Sequence, residues 1–247
     1  MKIDNAVAFV TGANRGIGLA FTRALLARGA RKVYAGARDP STVTEPGVEP
    51  IRLDVTRPDE VAAAAARARD ATLVINNAGV GQLGGFLAPD SEESARRHLE
   101  TNFFGMLRTS RAFAPVLAAN GGGAFINVLS VGSWIGSPIL STSSASKSAA
   151  WNFTNSARVE LKRQGTHVVG VHVGFVDTDL TAPLDVDKIA PAAVAAAALD
   201  AVEAGEPEAV VVWLSPWTRC ERLRLPSAHY RDARTGSVCH GVRLTLA

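Results

Sequence analysis

A glycine-rich turn and two arginines placed to meet a phosphate mark the first chemistry this chain can do. The turn is Thr11-Gly12-Ala13-Asn14-Arg15-Gly16-Ile17-Gly18. It follows the apolar run Ala6–Val10 and opens a stretch, Ile17–Leu26, with helical periodicity and Gly29 at its end. Strand, glycine turn and helix together bring a dinucleotide pyrophosphate onto a helix N-terminus, where backbone N–H groups and the helix dipole favour negative charge. The spacing is G-x-x-x-G-x-G, which taken alone also fits an ordinary tight turn. The next strand, 31–37, ends at Arg38, where such a fold faces the adenosine ribose. An acidic residue there would bind a free 2′-hydroxyl, whereas an arginine suits a 2′-phosphate. Arg15 could reach the same phosphate, and two guanidinium groups around it favour NADP(H) over NAD(H). Two plain surface arginines are the alternative. Asp54, closing a third strand over 48–53, is placed to accept from the adenine amino group.

A second group of residues lies further along. Ser143 and Lys147 are four apart, so on a helix they share a face. A serine beside a lysine is one form of a nucleophile–base pair for hydrolysis. Ser130 stands at the end of a fifth strand, 124–129, and Asn76-Asn77-Ala78-Gly79 closes a fourth, 72–75. Small residues at a strand end let the backbone approach a ligand closely. Asn102 sits inside a long helical stretch, 91–119, among Leu99, Phe103, Phe104, Met106 and Leu107, where a polar amide needs partners.

Taken together, Thr11-Gly12-x-x-x-Gly16-x-Gly18, Asp54, Asn76-Asn77-Ala78-Gly79, Asn102, Ser130 and Lys147 resemble, in order and spacing, the classical short-chain dehydrogenase/reductase family over nearly the whole chain. The resemblance implies a single α/β domain, a Rossmann-like, doubly wound, seven-stranded parallel sheet with helices on both faces. It implies a nicotinamide cofactor held by Gly12, Asn14, Arg15, Gly16, Ile17, Gly18, Arg38, Asp54, Val55, Asn76, Ala78, Gly79, Lys147, Gly174, Val176 and Thr178. Ser130 would donate to the substrate oxygen, Lys147 would bind the nicotinamide ribose, and Asn102 would hold a water linking Lys147 to solvent. Val80, Leu83, Trp134, Leu140 and Phe175, with Phe86, Ile135 and Ile139, are the candidate apolar substrate wall, which suits a hydrophobic ketone, aldehyde or secondary alcohol; ordinary core is the alternative.

The pattern breaks at Ser143. The family has a tyrosine four residues before its lysine, and here no tyrosine lies between Tyr34 and Tyr230. A phenol titrates near 10, and a neighbouring ammonium lowers it further. A serine hydroxyl is far less acidic and stops short of an oxygen placed for a phenol. General acid–base catalysis is worth about 10²–10⁴-fold, so the chain is expected to bind cofactor yet turn over poorly. Three accounts stay open: an introduced, inactivating substitution in a reductase; a natural variant using another acid, or a catalytically silent NADP(H)-binding sensor or assembly subunit; and a Ser143–Lys147 hydrolase. A smaller departure is Val173-Gly174 where the family has Pro-Gly.

The elements that must position these residues are set by the same patterning. Alanine-rich helices are expected over 58–69 and 191–204, a helix over 151–161, strands over 166–173 and 209–214, and a mobile lid over 178–187. By the resemblance, the 151–161 and 91–119 helices pair between subunits, giving a homodimer or homotetramer. A dehydrogenase domain over 1–214 would be followed by a tail, 215–247, docked as an arm or disordered. That tail carries six arginines against two acidic residues, a charge of +4 that accounts for the chain's net +3, leaving the body with 20 basic and 21 acidic residues. This balance does not indicate a general nucleic-acid surface. No apolar run reaches the roughly 18 residues of a membrane span. The two cysteines, Cys220 and Cys239, make neither a disulfide framework nor a metal cluster, so a cytoplasmic protein without metal is expected.

Overall fold

β1, Val7–Thr11, is buried along its whole length, as a near-continuous apolar strand must be when helices cover both faces of a parallel sheet. The computed structural model describes residues 1–136 and 138–212, with the backbone of 242–246. β1 leads to α1 (Gly16–Ala27), β2 (Lys32–Ala37), β3 (Glu49–Arg52), α2 (Pro58–Arg67) and β4 (Leu73–Asn76). Then come α3 (Ser91–Leu99), a π-helical turn (Glu100–Phe104), α4 (Gly105–Ala119) and β5 (Gly123–Ser130). α5 (Ser141–Glu160), β6 (Thr166–Val173), α6 (Pro191–Ala204), β7 (Glu208–Val212) and β8 (Val242–Leu246) complete the order.

All strands pair in parallel in the order β3-β2-β1-β4-β5-β6-β7-β8. The seven strands expected are present, and β8 adds an eighth beside β7. Trp213 and Leu214, and the tail residues Cys220, Tyr230 and Cys239, lie outside the described residues. Strand order reverses between β1 and β4, so their C-terminal ends open the crevice where a doubly wound sheet binds ligands.

Two apolar clusters flank the sheet. α1 and α6 cover one face through Phe21, Leu25, Val194, Leu199 and Val202. Helices α2 and α4 cover the other through Val61, Ala64, Phe113 and Leu117. α6 needs little bulk to pack closely, because its buried face is mainly alanine. It starts at Pro191, which lacks only an N–H that would be unpaired there, and ends at Gly205 in the left-handed region, φ 74°. No helix among the described residues is long and apolar enough to cross a membrane.

Two elements differ from their sequence expectation. The 91–119 stretch is broken by the π turn, which inserts one residue and turns Asn102 inward. The helix expected from Trp151 begins ten residues earlier, at Ser141. Its first turns hide polar rather than apolar side chains: Ser141, Thr142 and Ser146 are all buried.

Candidate active site

The crevice is built on Thr11, the buried last residue of β1. Its hydroxyl donates to the Ile75 carbonyl (3.2 Å) and accepts from the backbone N–H groups of Asn77 and Ala78, both at 2.9 Å. The Asn77 amide donates in return to the carbonyls of Thr11 (2.9 Å) and Gly12 (3.1 Å). The glycine turn after β1 is thereby stapled to the Asn-Asn-Ala-Gly turn after β4. The glycines are required by space. A β-carbon on Gly18 would lie 2.0 Å from the Gly12 carbonyl oxygen, and Gly12 has φ +65°. α1 starts at Gly16 with no side-chain cap and no acid in its first turn, so its first N–H groups are left for an anion. These features fit a pyrophosphate cradle.

At the adenosine end, Arg38 is exposed and pairs with no acid among the described residues. Arg15 is held by Asp179, Nη1 to Oδ2 at 2.7 Å. Asn14 donates to the Thr42 hydroxyl (3.1 Å), beyond the end of β2. Ile17 packs on the core below the turn. Asp54 accepts from the Thr56 backbone N–H (2.9 Å) and hydroxyl (2.7 Å) through one carboxylate oxygen, leaving the other for an outside donor. Burial pushes its carboxyl up, but the Thr56 donors and the charges of Arg38 and Arg57 outweigh that, and it ends below its ordinary value. Val55 is buried against Gly105, where a β-carbon would come within 2.6 Å of it.

Asn76 is turned away from the crevice. Its amide donates to the Ser110 hydroxyl (3.1 Å) and the Asn127 side chain (2.8 Å), and Asn127 continues to Thr154 at 3.0 Å. This polar chain ties β4 and β5 to α4 and α5, so only the Asn76 backbone is left to face a ligand.

Asn102 and Lys147 converge on Gly79. A β-carbon there would stand 3.1 Å from Asn102 Oδ1 and 3.7 Å from Lys147 Nζ. Asn102 Oδ1 accepts from the Val80 N–H (2.8 Å), and Nδ2 donates to the Val80 carbonyl and the Ser146 hydroxyl, both at 2.9 Å. The side chain therefore clamps the segment that follows β4. Lys147 keeps some solvent exposure, but its ammonium points inward and donates to the Val128 carbonyl (2.8 Å); burial pushes it down to about 8. Ser130 Oγ accepts from the Gly132 N–H at 3.0 Å, which leaves its proton free to be donated. Ser143 is half-buried one turn before Lys147, and its hydroxyl bonds to no described residue; its carbonyl accepts from Ser146 at 2.6 Å.

The apolar wall flanks these groups. The segment holding Val80 and Leu83 is joined to that holding Leu140 by Gly84, which donates to the Ile139 carbonyl (2.9 Å) and accepts from the Ser141 N–H (3.2 Å). Leu83, Phe86, Ile135 and Ile139 are all about half exposed, so the wall is open to solvent. Phe175 carries the backbone that follows β6, its carbonyl accepting from Ile189 at 2.9 Å. Val176 is buried, and Gly174 meets only ordinary contacts with Val212 at 3.6 Å, so packing inside the protein does not require glycine there.

Trp134 is drawn inward onto His172, ring centroids 4.0 Å apart, a partner that sequence reasoning missed. Buried His172 bonds to Glu208 Oε2 at 2.7 Å. Burial pushes the Glu208 carboxyl up, but His172 and Arg158 bring it below its ordinary value. The available signal was the second imidazole of the 166–173 strand, set between Val171 and Val173 two residues before Gly174.

The short chain dehydrogenase family model matches residues 6–189. Among solved structures, a short chain dehydrogenase from Burkholderia cenocepacia J2315 in complex with NADP is 43% identical, with a TM-score of 0.82; the match covers 85% of this chain and 89% of that one. The short chain dehydrogenase pigC of Monascus ruber is 32% identical over 197 residues, 72% of this chain and 65% of that protein. The galactitol 2-dehydrogenase (L-tagatose-forming) of Cereibacter sphaeroides is 34% identical over 191 residues, 73% of this chain and 75% of that protein.

Proposed function

The chain belongs to the short chain dehydrogenase family, and from that premise we propose that it is an NADP(H)-dependent oxidoreductase for a small hydrophobic carbonyl or alcohol, impaired by Ser143 at the proton-donor position. The observation that carries the reading is the convergence of Lys147, Asn102 and the small residues after β4 on one crevice, beside an uncapped glycine turn. When bound, the cofactor supplies or accepts a hydride at C4 of its nicotinamide. Ser130 is left with a proton to donate to a carbonyl oxygen. Lys147 can bind a ribose hydroxyl and raise the local positive potential, and Asn102 fixes the backbone between them while holding a water by family analogy. The half-exposed apolar side chains around the opening favour a hydrophobic substrate over a polyol. A cytoplasmic homodimer or homotetramer, free of nucleic acid and membrane, is the proposed setting.

The missing phenol is not supplied elsewhere among the described residues. Tyr34, within β2, accepts from Lys32 (2.6 Å) and donates to Asp70 (2.8 Å). That observation favours a second reading, a silent NADP(H)-binding sensor or assembly subunit. The hydrolase reading is weaker, because Lys147 is bonded to Val128 and the Ser143 hydroxyl to neither.

Fluorescence titration with each cofactor tests the NADP(H) assignment. NADPH should bind more tightly than NADH by roughly 1.5–3 kcal/mol, the scale of a charge-assisted hydrogen bond. Equal affinities, or tighter NADH, would contradict it.

A further inference from the structure

The first residues after β6 form a closed turn that reaches back over the glycine loop. Thr181 N–H donates to the Thr178 carbonyl at 3.0 Å, and the Thr181 hydroxyl bonds to the Val176 carbonyl. The base of the turn is anchored, since Asp177 N–H donates to the Ile189 carbonyl and Ile189 N–H to that of Phe175, both at 2.9 Å. Three successive residues at its tip then meet the crevice. Thr178 lies beside Gly16, where a β-carbon would come within 3.1 Å of its methyl carbon. Leu180 lies beside Gly81, where one would come within 3.3 Å. Between them, Asp179 takes Arg15 at 2.7 Å, and no other acid among the described residues pairs with that guanidinium.

Arg15 is one of the two arginines assigned to the cofactor 2′-phosphate, and any role for Asp179 in cofactor choice rests on that reading. A carboxylate and a phosphate that share one guanidinium repel each other, and each weakens the other's hold on it. We propose that Asp179 is a cofactor-selectivity residue: it competes with the 2′-phosphate for Arg15 and holds the preference for NADP(H) below what Arg15 and Arg38 alone would set. NAD(H), which has no 2′-phosphate, leaves the Arg15–Asp179 pair intact. Arg38 has no such competitor among the described residues, so the two arginines are unequal in what a phosphate must displace. The Arg15 and Asp179 side chains are 64% and 74% exposed, so the pair is weak and screened by salt. The effect is a tuning of selectivity and not a lock.

The test is a titration of the full chain and its Asp179→Asn variant with NADPH and NADH, repeated in an Arg15→Ala background. Asp179 lies in an exposed turn, and an unchanged thermal transition serves as the folding control. Asp179→Asn should tighten NADPH about two- to five-fold, the range open to one exposed ion pair, and leave NADH unchanged. In the Arg15→Ala background the gain should fall by at least half. If the parent prefers NADPH and Asp179→Asn changes nothing, the inference alone is overturned. It is also overturned if the gain is as large without Arg15, since Asp179 would then act on the phosphate directly. A parent that binds both cofactors equally contradicts the NADP(H) reading and takes the inference with it.

Discussion

At the scale of single residues, Lys147 is the group whose surroundings change its chemistry most. Burial holds its ammonium at about 8 against an ordinary 10.5, so near neutrality it is still charged but easily discharged. Between about pH 8 and 10.5 the folded chain has released this proton and the unfolded chain has not, so the unfolded state binds more protons and stability gains with rising pH. Below that window both states are protonated, and the burial of the charge is fully felt. Lys147→Met should therefore be more stable than the parent near pH 7, and the difference in urea midpoint should narrow as pH rises through the window. A pH-independent difference would contradict the account. Asn102 has the opposite balance. Its buried amide makes three hydrogen bonds, and Asn102→Ala should strand the Val80 backbone groups at a cost of about 1–3 kcal/mol in denaturant unfolding. Cofactor affinity should fall with it, since the clamped segment forms one side of the crevice.

At the scale of elements, the π turn and α5 present a shallow outward groove lined by Phe103, Ala149, Asn152, Phe153 and Ser156, with Phe104 41% and Val159 75% exposed nearby. The proposed subunit pairing would cover these residues. Light scattering at micromolar concentration should give two or four chain masses, and Phe104→Glu should shift the population toward monomer; a parent that is already monomeric would contradict the pairing. Much of the crevice was legible in the sequence, because Gly12, Gly16, Gly18, Ser130 and Lys147 are tied to strand ends and helix starts by type and spacing. What was not legible has physical reasons. A π turn shifts the phase of a helix by one residue, too little to disturb the apolar pattern of 91–119. The start of α5 at Ser141 is held by buried hydroxyls, which carry no hydrophobic period. The inward turn of Asn76 depends on Asn127 and Ser110, distant in sequence, and that of Trp134 on His172. Spacing along the chain cannot report such partners.

At the scale of the whole molecule, the parallel sheet, the stapled loops and the Lys147–Asn102–Gly79 convergence are complete, while the residue at the donor position is a serine. On the proposed reading the deficit is local: the scaffold would bind the cofactor and orient a carbonyl, without the group that protonates it. What separates the impaired-reductase account from a silent binding protein is whether a restored phenol brings turnover. The direct measurement is NADPH oxidation by Ser143→Tyr and by the parent, followed through nicotinamide absorbance over a panel of hydrophobic ketones and aldehydes. The account predicts a rise in kcat of about 10² or more, the usual scale of general acid catalysis, with NADPH affinity little changed. Adding Lys147→Ala should then remove most of the gain by letting the phenol pKa rise. A folded Ser143→Tyr chain that binds NADPH as the parent does, yet turns over none of the panel, would contradict the account.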